Sequence, residues 1–192
     1  DLLSAIQYRN AGTVEFLYDE QSGSFQFMEV NARLQVEHPV SEMVSGTDLV
    51  RLQLLLATGR EELPSQTSIV SSGHAIEARI IAEDPARDFL PCPGRIIRWR
   101  PPAGQGIRVD TAVVDCTVIS PYYDSLIAKL IVHGSNRAEA VQRMAGALEQ
   151  FEVEGIPTNL PLLRFIVDHP DFRANSIDTR WMERILLPAF RT

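Results

Sequence analysis

Two runs rich in β-branched and aromatic side chains, Thr13-Val14-Glu15-Phe16-Leu17-Tyr18 and Phe25-Gln26-Phe27-Met28-Glu29-Val30, flank a polar stretch at 19–24 that contains Gly23. That pattern predicts a β-hairpin. A turn symmetric about Ser22 sets Glu15 directly opposite Glu29. At ~5 Å in an effective dielectric of ~20, two facing carboxylates repel by roughly 3 kcal/mol unless a cation or a proton lies between them. Strand alternation also carries Asn31 and Arg33 onto the face of Glu29 if the strand runs on. Two carboxylates and an amide oxygen make a hard, all-oxygen set suited to a Mg²⁺ ion that also holds nucleotide phosphates. A solvated hairpin face in another register fits the same residues, because a one-residue slip turns every side chain to the other side.

Beyond the hairpin, Thr47 is placed to cap an apolar helix over 48–57, with Gly59 as its stop signal, and that helix is expected to be well buried. The stretch 61–73 turns polar and reads as a connector, which predicts domains at 1–62 and 63–192. Strand-like runs follow at 74–82, 94–99, 107–114 and 126–133. Asn136 and Glu139 then form a capping pair for a long amphipathic helix with Ala140, Val141, Met144, Ala145, Leu148 and Phe151 on one face. Asn159 precedes a further apolar segment to Val167, and a last helix covers 179–187. Strands first and helices last imply an α+β fold.

The formal net charge is −7 and the basic residues are scattered, which argues against a nucleic-acid surface. Of 18 basic residues, Lys129 is the only lysine. Cys92 and Cys116 lack CxxC neighbours, which points to a reducing compartment and to two buried apolar thiols, with no zinc site or disulfide framework. The opening Asp1-Leu2-Leu3-Ser4-Ala5-Ile6 has neither an initiator Met nor a signal-peptide pattern, so a start inside a longer chain is expected.

The run Glu29-Val30-Asn31-Ala32-Arg33-Leu34-Gln35-Val36-Glu37-His38-Pro39-Val40-Ser41-Glu42 resembles the signature of biotin carboxylases within the ATP-grasp superfamily. The similarity extends through Gly73-His74-Ala75-Ile76-Glu77-Ala78-Arg79, Glu83-Asp84-Pro85, Phe89-Leu90-Pro91 and Pro121-Tyr122-Tyr123-Asp124-Ser125-Leu126-Ile127-Ala128-Lys129-Leu130. An acidic residue followed by Asn-x-Arg occurs across ATP-grasp ligases. Arg-x-Gln-Val-Glu-His-Pro together with Pro-Tyr-Tyr-Asp-Ser is similar to the biotin-dependent branch.

The resemblance implies the end of an ATP-grasp domain followed by a biotin carboxylase C-terminal domain, in an enzyme that uses ATP, Mg²⁺ or Mn²⁺, bicarbonate and biotin. By the same resemblance, Glu15, Glu29 and Asn31 hold the metal. Arg33, Gln35 and the backbone of Val36 hold bicarbonate, and Glu37 removes its proton. Arg79 stabilises the biotin enolate, and Asp124 serves the biotin site by orienting Arg79 or, more simply, stabilises its own turn. His38 reads as a neighbour of the site, while His74, His133 and His169 have no partners at ligand spacing; Tyr122 and Tyr123 read as loop and core residues.

Implied partners are a biotin carboxyl carrier protein or domain, a carboxyltransferase component and a homodimer mate contacted around Arg108. There Gln105 stands where a bulky apolar residue is expected. The implied compartment is the bacterial cytoplasm or, in a eukaryote, the mitochondrial matrix. A glycine-rich lid and phosphate-binding lysines are expected upstream of the hairpin, so this stretch is not expected to turn over alone. A folded scaffold or dimerisation module, and another ATP-grasp ligase such as a carbamoyl phosphate synthetase, are the competing readings. Acetyl-CoA, propionyl-CoA, methylcrotonyl-CoA, pyruvate and urea systems share the half-reaction; His38-Pro39-Val40 leans toward the acyl-CoA carboxylases.

Overall fold

A computed structural model describes residues 2–19, 21–59 and 63–190, with a backbone but no side-chain description at Leu2. The chain divides into two compact units, 1–71 and 72–192. The connector boundary expected at 62 and 63 abuts residues 60–62, which lie outside the described residues.

In the first unit, a helical turn at Leu2–Ala5 precedes the hairpin of β1 (Thr13–Asp19) and β2 (Ser24–Asn31). The turn is held by Asp19, whose carboxylate accepts bonds from the Gln21 backbone N–H at 3.0 Å and the Ser22 hydroxyl at 2.5 Å. These bonds, the Ser22 hydroxyl foremost, hold the Asp19 carboxyl below its ordinary range. Gly23 closes the turn in the left-handed region, at φ 66°.

The strands leave the turn with Asp19 facing Ser24 and Phe16 facing Phe27, one residue out of step with a turn centred on Ser22. A bulge at Met28 restores the step, so that Glu15 faces Glu29 and Thr13 faces Asn31. The expected carboxylate pairing is therefore present, but a shifted turn and a compensating bulge produce it.

After β2, α1 (His38–Ser45) ends on Gly46 in the left-handed conformation, and α2 (Leu49–Ala57) follows at once. Asp48, not Thr47, caps α2, its carboxylate accepting from the Arg51 N–H at 2.8 Å. Nor is α2 well buried: none of its residues is, and Leu54 is 64% exposed.

The second unit is built on a three-stranded antiparallel sheet in the order β3 (His74–Ile81), β6 (Leu126–Gly134), β5 (Ile107–Thr111). Its fourth described segment of note, β4 (Arg98–Arg100), pairs with β7 (Glu152–Glu154). The expected strand at 94–99 is split, with Gly94–Arg95 pairing separately with Val118–Ile119. Ala78 and Ile80 of β3 and Leu130 and Val132 of β6 are buried on the face covered by α3 (Arg137–Gln150).

The α3 face is the expected one, with Ala140, Val141, Met144 and Leu148 buried, Ala147 added and Ala145 half-buried. Its capping pair also forms. Asn136 accepts from the Glu139 N–H at 3.0 Å, and Glu139 accepts from the Ser135 N–H at 2.8 Å. Then come α4 (Leu160–Asp168), a short helix at Pro170–Ala174, a π-helical stretch at Met182–Leu186 and a last turn at Leu187–Phe190. Antiparallel strands with packed helices make the α+β fold.

Two smaller expectations fail. Cys116 is exposed in a turn and Cys92 is half-buried, so neither is a core thiol. Tyr122 and Tyr123 are 88% and 83% exposed, because the Pro121 turn projects both rings outward.

Leu148 is fully buried between α3 and the sheet. Leu148→Ala is expected to lower stability by about 2–5 kcal/mol, read as a shift of the denaturant midpoint at unchanged slope.

Candidate functional site

The hairpin positions the first cluster. The Asn31 side-chain N–H₂ donates to Glu15 Oε1 at 2.8 Å and to Glu29 Oε1 at 3.1 Å, and Gln35 Nε2 donates to Glu15 Oε1 at 2.9 Å. Both carboxylates thus converge on one point, where the repulsion is offset by amide donors. A cation at that point would touch both carboxylates, and half a turn of the Asn31 amide would offer it an oxygen. The donor set fits Mg²⁺ or Mn²⁺. Among the described residues no three His, Cys, Asp or Glu side chains cluster as a metal site.

Past Asn31 the backbone leaves the strand. Arg33 is exposed, its Nη1 donating to the Leu34 carbonyl at 3.1 Å. His38 Nδ1 lies 2.7 Å from the Gln35 carbonyl, which makes it the packed neighbour expected. Glu37 is the N-cap residue of α1, yet its exposed side chain makes no capping bond; Pro39, buried near the helix start, has no N–H to satisfy. A cavity of about 430 Å³ is bordered by Gln35, Glu37 and His38. The structure therefore brings Glu15, Glu29, Asn31 and Gln35 into bonded contact and carries Arg33, Val36 and Glu37 on the segment that follows.

In the second unit, Arg79 lies on β3 directly opposite Lys129 of β6, which in turn faces Asp110 of β5. Arg79 is exposed, on the face away from the buried Ala78 and Ile80. Lys129 Nζ is 3.6 Å from Asp110 Oδ2, and Arg108 grips the same carboxylate through Nε at 2.7 Å and Nη2 at 2.8 Å. Burial raises the Asp110 pKa, but the Arg108 bonds and the charges of Arg108 and Lys129 outweigh it and hold the carboxyl below its ordinary range. Asp124 Oδ1 accepts from the Leu126 N–H at 2.7 Å, which is the turn-stabilising role.

Sequence reading missed the Lys129–Asp110–Arg108 row. The alternation of Ile107 and Val109 with Arg108 and Asp110 carried the signal, but which strands lie beside β5 is a matter of sheet order. It also missed Glu42, 6% exposed, which accepts from the Leu49 N–H at 2.7 Å and ties α1 to α2.

The family model described as the biotin carboxylase C-terminal domain matches residues 77–184, and the carbamoyl-phosphate synthase L chain ATP-binding domain model matches 1–65. This chain belongs to the biotin carboxylase family. Biotin carboxylase 1 of Bacillus subtilis is 46% identical over 179 residues, covering 93% of this chain and 40% of that protein. The mitochondrial methylcrotonoyl-CoA carboxylase subunit alpha of Arabidopsis thaliana is 46% identical over 181 residues, covering 93% of this chain and 24% of that protein.

Among solved structures, the biotin carboxylase domain dimer of Hydrogenobacter thermophilus 2-oxoglutarate carboxylase, in complex with MgADP, ADP and bicarbonate, superposes with a TM-score of 0.92. It is 45% identical and is covered over 41% of its length by 99% of this chain. The chain spans 24–41% of the length of these relatives and corresponds to the C-terminal portion of a biotin carboxylase, the end of the ATP-grasp domain plus the C-terminal domain.

A depressed Asp110 carboxyl stabilises the fold above its unfolded value of 3.8, and that contribution is lost as pH falls below it. Asp110→Asn is therefore expected to cost about 2 kcal/mol near neutrality and to flatten the acid limb of stability against pH, followed by denaturation at several pH values.

Proposed function

We propose that this chain is the C-terminal part of an enzyme that carboxylates biotin with bicarbonate at the expense of ATP. The observation that carries the reading is the convergence of Glu15 and Glu29 on the Asn31 amide, followed on the same segment by Arg33, Gln35 and Glu37. Bound by Glu15, Glu29 and Asn31, Mg²⁺ or Mn²⁺ would screen the nucleotide phosphates and align the terminal one for transfer.

The planar bicarbonate anion is gripped by the Arg33 guanidinium, with the Gln35 amide and the Val36 N–H as further donors. Glu37, at the start of α1, removes the bicarbonate proton as an oxygen of that anion bonds to the γ-phosphorus and ADP leaves, giving carboxyphosphate. Arg79 places a fixed positive charge where the ureido oxygen of biotin becomes negative on loss of the adjacent N–H proton. Asp124, held in the turn that leads into β6, serves biotin together with Arg79 of the same unit.

The same reading assigns a biotinylated carrier and a carboxyltransferase component as partners, and a second copy of the chain contacting the region around Arg108. His38-Pro39-Val40 supports an acyl-CoA carboxylase parent, in the cytoplasm or mitochondrial matrix. The domain boundary in this reading is the connector around 62 and 63.

In the full-length parent, Glu37→Gln is expected to lower biotin carboxylation about 10²–10⁴-fold with an unchanged melting temperature, the range for loss of a general base. Glu29→Gln is expected to raise the Mg²⁺ concentration needed for half-maximal rate. Near-normal turnover in the first variant and an unmoved metal requirement in the second would favour a non-catalytic scaffold.

A further inference from the structure

Asn159 directly precedes α4, the place where an asparagine ordinarily accepts a bond from its own helix. Here its side chain makes no capping bond. It turns instead to β3, almost eighty residues earlier in the chain. Asn159 Oδ1 accepts from the Ile81 N–H at 2.9 Å, Nδ2 donates to the Arg79 carbonyl at 2.9 Å, and the Asn159 backbone N–H donates to the Ile81 carbonyl at 3.1 Å. Asn159 is 8% exposed, so these bonds form away from solvent.

The sheet order leaves β3 at an edge, with β6 on one side only. An edge strand presents unpaired N–H and C=O groups and frays more readily than an inner one. Asn159 satisfies those groups at the two residues that bracket Ile80, and so clamps the backbone from which the Arg79 side chain projects. The neighbours Ala78 and Ile80 are buried against α3, so the clamp and the core together fix where the Arg79 Cα stands while its side chain remains exposed.

We propose that Asn159 is a positioning residue for Arg79, fixing the backbone of the edge strand so that the guanidinium meets the charge developing on biotin. The inference rests on the role assigned to Arg79 above. A group that stabilises a transient charge must be held by its supporting residues, and a misplacement of about 1 Å can cost on the order of 10²-fold in rate.

The test uses the full-length parent and two activities, carboxylation of free biotin and bicarbonate-dependent ATP hydrolysis without biotin. Asn159→Asp keeps the acceptor for Ile81 and removes the donor to Arg79; Asn159→Ala removes both. Leu160→Ala, which truncates a buried core residue next along the chain, controls for general destabilisation.

The expected result is that both Asn159 variants lower the ratio of the first activity to the second at least tenfold, that Leu160→Ala at a similar melting temperature does not, and that in an Arg79→Ala background the Asn159 substitutions lower the ratio no further. An unchanged ratio in the Asn159 variants, or an equal fall in Leu160→Ala, overturns the proposal. An unchanged ratio in Arg79→Ala alone overturns the role of Arg79 itself, and is distinguished by being seen without any change at Asn159.

Discussion

Facing carboxylates on neighbouring strands cannot be left to themselves, and the first unit is arranged around that constraint. Glu15 and Glu29 are brought together by the hairpin, and the Asn31 and Gln35 amides supply the positive ends of dipoles that make the approach tolerable. With the Asn31 amide turned to present its oxygen, the same two carboxylates could hold a cation, which is the site proposed for Mg²⁺ or Mn²⁺. The segment from Arg33 to Glu37 then leaves the strand, carrying the guanidinium and the carboxylate that the proposed bicarbonate site uses.

The second unit solves a different problem. Its central strand β6 has one apolar face, covered by α3, and a mixed face on which Lys129, between the buried Ile127 and Ile131, stands opposite Arg79 and Asp110. Asp110 offsets the like charge of Lys129 and Arg79 that the register imposes, and Arg108 completes the pairing. The apolar face stabilises the unit, and the mixed face leaves the Arg79 side chain exposed. Asn159 links the two roles, being buried among core residues and bonded to the backbone that bears Arg79.

Much of this was legible in the residues. The β-branched and aromatic runs at 13–18 and 25–30 pointed to the hairpin, and the capping pair at Asn136 and Glu139 with its apolar face pointed to α3, because both depend on local chemistry. The Glu15–Glu29 pairing was reached through a symmetric turn, whereas the hairpin uses a shifted turn and a bulge at Met28. A bulge is not visible in residue types. The burial of α2 was misjudged because an apolar helix carries no mark of whether a partner surface exists within its own unit. The Asn159 clamp and the Asp110 row join residues distant in sequence, so only tertiary structure reveals them. The motif from Glu29 to Glu42 lies within the ATP-binding domain match at 1–65, and the family it pointed to is borne out by the match over 77–184.

The measurement that bears most directly on the account is ATP hydrolysis by the full-length parent, with biotin and bicarbonate each supplied or withheld, beside the same assay on this chain. The account predicts hydrolysis by the parent that rises when both are present, and none by residues 1–192 alone. A parent whose hydrolysis is indifferent to biotin and bicarbonate would contradict it.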